Sequence, residues 1–141
     1  MYAAFRTIAA TVAGLLVASM LVIAVELFSA VVHPVPEGFG NTADEICRHV
    51  ERYPQWVLAA VVPAWTATAF VGAWTARRLG NLVSLTIVGL LLQASLAFNV
   101  AMLPYPLWFK IANLMAIPAA IFAATILATR NNRPGRAMIE R

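Results

Sequence analysis

The chain has 141 residues, of which 62% are hydrophobic and only 11% charged, with a formal net charge of +4. A water-soluble domain is nearer half apolar and a quarter charged, and could not hide this much apolar surface, so an ordinary soluble fold is excluded. The basic residues stand at the ends of apolar runs rather than along one stripe, which excludes nucleic acid as the natural partner and points to the lipid bilayer.

A spanning helix needs roughly 20 mostly apolar residues, because the hydrocarbon layer is about 30 Å thick and a helix rises about 1.5 Å per residue. The first such run begins after Arg6 and gives a predicted span over residues 7–32. It passes into Glu26 with no Ala-x-Ala site, so it reads as a retained helix and not as a cleaved signal peptide. Gly14 begins a set of small residues at helical spacing, continued in the later runs by Ala60, Ala64, Ala69, Gly72, Ala73, Ala76 and Gly89. Such residues let membrane helices approach closely.

The loop over residues 33–53 follows. Its turn-forming start, His33-Pro34-Val35-Pro36-Glu37-Gly38, leads to Thr42 and Glu45 at capping-box spacing. Ile46, Val50 and Tyr53 then recur at i, i+4, i+7, predicting one short amphipathic helix with its acids first and Arg48 and Arg52 last. Such a helix suits the outer membrane surface or the mouth of a bundle.

The second span is predicted over 54–76, the third over 81–103 and the fourth over 108–129, with a tail over 130–141. Pro63 and Pro118 fall mid-helix, and the carbonyls they free need partners such as Thr66, Thr68 or water. The expected fold class is therefore all-α: a polytopic transmembrane four-helix bundle forming a single membrane domain over 1–141. Arg6, Arg77, Arg78, Arg130, Arg133, Arg136 and Arg141 lie at the N-terminus, in the second loop and in the tail. Basic residues accumulate on the cytoplasmic side, so the expected arrangement is N-in, C-in in the cell (inner) membrane. Tyr53, Trp56, Tyr105 and Trp108 then fall at the outer interface, where amphipathic rings sit well.

The two halves also resemble each other. Phe28, Ser29, Pro34 and Pro36 match Phe98, Asn99, Pro104 and Pro106 at a constant offset of 70, and Pro63 corresponds to Pro118 if the first loop holds 15 extra residues. Both halves run in-out-in, the pattern of a parallel repeat.

Glu26 is the most informative polar position. Ser19, Glu26 and His33 share one helix face with Ser29 beside them. Intramembrane ionisable groups are functional candidates, although Glu26 lies about 28 Å up its helix and hence near the outer interface. Two readings stand open: a functional carboxylate, or a structural one paired with His33, Arg48, Lys110 or loop amides. With Glu26 and His33, the amides of Asn99 and Asn113 form a candidate polar pocket under the Pro-x-Pro turns; the alternative is a set of interhelical hydrogen bonds.

His33, Asp44, Cys47 and His49 are of metal-ligand type, but Cys47-x-His49 is not a zinc spacing, so no metal is expected. The single cysteine excludes an internal disulfide and a Cys-x-x-Cys redox pair. No phosphate loop, nucleophile elbow or His-Glu-x-x-His is present, so neither an enzyme nor a cofactor is expected.

The series Glu26, Pro34-x-Pro36, Asp44, Pro54, Ala76-Arg77, Pro104-x-Pro106-x-Trp108-Phe109 and Pro118 resembles a group of small four-span bacterial membrane proteins described as uncharacterised. The resemblance covers nearly the whole chain and implies the same four-span layout, with no activity or cofactor attached. Tyr105 stands where that pattern would carry a His. Glu26 alone also resembles the first-helix Glu of small multidrug-resistance transporters, whose carboxylate lies deeper and whose loops are shorter. The expected function is a non-enzymatic accessory or self-associating membrane component, with a homo-oligomer or membrane-protein partner; the alternative is a small proton-coupled transporter or channel using Glu26.

Overall fold

A computed structural model describes residues 1–130; the expected tail beyond Arg130 lies outside them. The described chain is all-α: α1 (Tyr2–Val32), α2 (Ala43–Glu51), α3 (Gln55–Leu79), α4 (Leu82–Met102) and α5 (Leu107–Arg130). Four of these, α1, α3, α4 and α5, are long and apolar enough to cross a membrane. α2 is the short helix of the first loop, and its capping box is formed in full: the Glu45 amide donates to the Thr42 hydroxyl at 3.3 Å, and the Thr42 amide donates to the Glu45 carboxylate at 3.1 Å.

Two helices run past the charges that bracket their apolar cores. α1 starts at Tyr2 and includes Arg6, whose guanidinium donates to the Gly80 carbonyl at 2.7 Å. α3 carries Arg77 and Arg78 in its last turn, and only Gly80 and Asn81 separate it from α4. Asn81 caps α4 by accepting from the Ser84 amide at 3.1 Å, while its own amide donates to the Thr7 hydroxyl at 2.7 Å. One residue thus starts α4 and ties it to α1.

α3 is the hub. It packs on α1, α4 and α5, whereas α1 and α5 do not meet. Its seam with α1 is an antiparallel ladder of small residues. A Cβ placed on Gly80 would stand 2.6 Å from Cβ of Ala10, one on Gly14 2.8 Å from Cβ of Ala76, and one on Gly72 2.9 Å from Cβ of Ala18. Each step of four up α1 matches a step of four down α3. Helices that face lipid gain no hydrophobic drive to associate, and close van der Waals packing of this kind is what joins such helices.

Above Ala18 the ladder changes character. The next α1 positions in the stripe are Val22 and Glu26, and the facing stretch of α3 carries Thr68 and Trp65. Bulkier side chains replace the small ones, and Val25 and Val32 of α1 pack on the Val57, Leu58 and Val61 cluster of α3. Three core clusters fill the remaining space: Val57, Leu58, Val61 and Phe109 at the end nearer α2; Ala69, Leu96, Val100 and Ile117 in the middle; Ala73, Leu85 and Ala124 beyond.

Pro63 and Pro118 both lie inside helices. The hydroxyls expected to serve the freed carbonyl do otherwise: Thr66 donates to Val62 and Thr68 to Ala64, each one turn back on its own helix. The carbonyl that Pro63 leaves without a partner belongs to Ala59, which neither reaches. The ends of α1 and α4 close alike, with the His33 amide on the Ser29 carbonyl at 2.8 Å and the Leu103 amide on that of Asn99 at 3.1 Å, at the offset of 70 found in the sequence.

Candidate functional site

Beyond the ladder of small residues, a cavity of about 180 Å³ opens inside the bundle. Its walls come from all four long helices: Val22 and Glu26 of α1, Trp65, Thr68 and Ala69 of α3, Leu92, Ser95, Leu96 and Asn99 of α4, and Ile117 of α5. Burial separates floor from mouth. Thr68, Ala69, Leu96 and Ile117 are buried, whereas Val22, Glu26 and Ser95 are exposed. The cavity therefore opens through the gap between α1 and α4.

One end of that gap is closed by contacts between α1 and α4, and Tyr105 packs near the other. Toward the chain's N-terminus, Gly14 brings α1 against α4, a Cβ there standing 3.2 Å from Cγ2 of Val88, and the Thr7–Asn81 bond lies beyond it. At the opposite end Tyr105 packs on both the Val57–Phe109 cluster and the middle core cluster. It turns inward and packs on Phe109 with ring centroids 4.7 Å apart and planes tilted by 36°; Phe109 is itself wholly buried and edged by Trp65 and Trp108. Of the four rings placed at the outer interface by sequence, Trp56 and Trp108 are the exposed ones. Trp108 donates to the Gln55 side chain at 2.9 Å. Burial raises the Tyr105 phenol well above its ordinary value, and the nearby Glu26 adds to the shift; Tyr53 is raised for the same two reasons.

Among the four candidate residues, Glu26 and Asn99 line this one cavity, with Ser95 one turn from Asn99 on the same helix. No hydrogen-bond donor and no cation stands against the Glu26 carboxylate among the described residues, so none of the pairings with His33, Arg48, Lys110 or loop amides is formed. The Asn99 amide oxygen is buried without a partner.

His33 and Asn113 go elsewhere. Asn113 is fully buried, donates to the Phe109 carbonyl at 2.9 Å one turn back, and leaves its amide oxygen unpartnered. His33 ends α1 and stacks face to face on His49 of α2, with ring centroids 4.4 Å apart and planes 21° apart. Tyr53 and Phe39 pack around this pair. The two imidazoles belong to a separate depression in the first loop that also includes Glu37, Glu45, Arg48 and Arg52. Burial, His33 and Arg52 hold the His49 ring below the usual imidazole range.

Thr68 and Trp65 complete the site, and sequence reasoning had no hold on them as wall residues. In the sequence Thr68 reads only as a partner for a proline-freed carbonyl. The signal lay in the i, i+4 stripe of α1, where small residues give way to Val22 and Glu26.

Among the described residues no three of His, Cys, Asp and Glu come together as a metal site. Compared with protein-family models, curated proteins and solved structures, the chain matches none of them. The function rests on the site's own chemistry.

Proposed function

We propose that this chain is a multi-pass protein of the cell (inner) membrane with both termini in the cytoplasm, and that its cavity is a proton-linked binding site in the outer half of the bilayer. Glu26 carries the proton. The protein holds or moves a small solute and catalyses no reaction. The observation that carries this reading is the Glu26 carboxylate, turned to a largely apolar cavity with neither a counter-ion nor a donor. A charge with no partner in low dielectric is costly, so such a group takes up a proton or a cation from elsewhere. The small-residue ladder closes the cytoplasmic half, which supports a site entered from the outer half instead of a continuous pore.

Reporter fusions after Arg78 and after Arg141 should both be cytoplasmic, and an impermeant thiol reagent should reach Cys47 only from outside. In proteoliposomes under a pH gradient, the wild type should show proton-dependent solute movement that Glu26→Gln lacks, at equal insertion.

A second reading, an accessory or self-associating component, draws on α1. Beyond Ala18 only Ser29 of this helix is buried, so its outer half offers a long surface to another helix. Purification in mild detergent separates the two: a stable heteromeric partner favours the accessory role.

A further inference from the structure

Resting on the reading of Glu26 as a binding group, we propose that the cavity takes a primary ammonium carried on an apolar chain, and that this ligand enters sideways from the outer half of the bilayer between α1 and α4. The route follows from what is closed. Tyr105 packs over Ala69, Leu96, Val100 and Ile117 toward one end, the ladder of Ala10, Gly14 and Ala18 against Ala76, Gly72 and Gly80 zips the other, and buried residues of α3 and α5 form the back wall. The exposed wall residues Val22, Glu26 and Ser95 all lie on the two helices that flank the gap. In a bilayer that gap faces hydrocarbon, so the ligand must be soluble there.

Charge and hydrogen bonding give the head group. The wall carries one carboxylate and no basic residue. An ammonium balances that charge, and its N–H groups donate directly to the carboxylate and to the Ser95 hydroxyl. A charge-assisted bond of this kind is about twice as strong as a neutral one. A quaternary ammonium has the charge but no proton to donate, so it forgoes these bonds. The remaining wall, Val22, Trp65, Leu92, Leu96 and Ile117, is apolar and accepts the first carbons of the chain, and the Trp65 ring face adds a cation–π surface. A free alkylamine and a lipid with an aminoethyl head share this chemistry.

The test uses the full chain in phosphatidylcholine vesicles, with Val22→Cys introduced beside Cys47→Ser as a reporter at the rim. A lipid-soluble maleimide should label the new thiol and an impermeant one should not. Dodecylammonium at about ten times its dissociation constant should slow that labelling about tenfold, dodecyltrimethylammonium by less than about twofold, and Glu26→Gln in the same background should erase the protection. Slowing without added amine, in vesicles containing phosphatidylethanolamine, assigns the lipid head as the source. Labelling that neither amine slows overturns the ammonium ligand while leaving the cavity and its Glu26 in place. Equal slowing by the quaternary compound overturns the hydrogen-bonded head, and labelling by the impermeant reagent overturns the sideways route. A thiol that neither reagent reaches removes the open cavity, and the reading beneath this proposal goes with it.

Discussion

Gly14 of α1 and Gly72 of α3 face each other across the helix seam, so that a Cβ on Gly14 would stand 2.8 Å from the Gly72 carbonyl oxygen and one on Gly72 3.1 Å from that of Gly14. Neither contact is with a side chain that could turn away. In an ordinary helix Gly→Ala gains about 0.5–1 kcal/mol from backbone entropy. Here Gly14→Ala should lose stability instead, by about 1–3 kcal/mol, because the backbones must separate. Thermal unfolding in mild detergent reads this directly, and a stabilised variant would mean the seam is looser than the geometry indicates.

Asn81 holds two separable roles. Asn81→Ala removes the α4 cap and the bond to Thr7, and should cost about 1–2 kcal/mol. Asn81→Asp keeps the capping oxygen but cannot donate to Thr7, so it should lose only the α1–α4 tie. Chemical denaturation of both variants in detergent should rank the Ala variant below the Asp variant. Equal losses would show that the cap contributes nothing.

The helices were legible because hydrophobic run length, charge and capping residues are local. Thr42 and Glu45 predicted α2 to within its first turn, and the runs between charges located α1, α3, α4 and α5. What charge could not locate was the helix ends, since Arg6, Arg77 and Arg78 sit inside helices. Their long side chains reach past the helix surface, as Arg6 does to Gly80. The site was legible in part. Glu26 and Asn99 stood out as polar residues in apolar runs. His33 looked like their companion by helical spacing, yet the chain turns at Pro34 and its ring meets His49, a tertiary contact that periodicity cannot register. Asn113 satisfied part of its amide on its own helix, an option open to any Asn one turn above a free carbonyl.

The first loop should be acid-sensitive. The Thr42 amide and hydroxyl hold the Glu45 carboxyl below its ordinary value, so this group stabilises the cap above the usual carboxylate range and the effect is lost as pH falls through the folded value. His49 adds in the same direction. Its folded value lies below the ordinary 6.5, so the unfolded loop binds protons first and stability falls as pH drops below about 6.5. The charged and titratable groups around it are His33, Arg52 and Tyr53. The protection factors of the α2 amides, taken against intrinsic exchange at each pH, should fall between pH 7 and pH 4 while those of the α3 amides hold. His49→Phe should keep the ring stack and remove the upper part of that dependence.

Thr42→Ala tests the same loop at fixed pH. Losing the cap should cost α2 about 1 kcal/mol, speeding exchange of its amides roughly fivefold while the four long helices keep their protection. Unchanged exchange in α2 would mean that the stacked His33–His49 pair, not the cap, holds the helix.

The central claim is that Glu26 serves a ligand or a proton and braces nothing. Thermal unfolding of the wild type and Glu26→Gln, side by side in mild detergent at neutral pH, tests it most directly. With no ion pair or donor on the carboxylate, the Gln variant should be as stable as the wild type or more so. A loss of about 1–3 kcal/mol, the size of a broken charge-assisted hydrogen bond, would show that Glu26 is a structural carboxylate and would contradict the account.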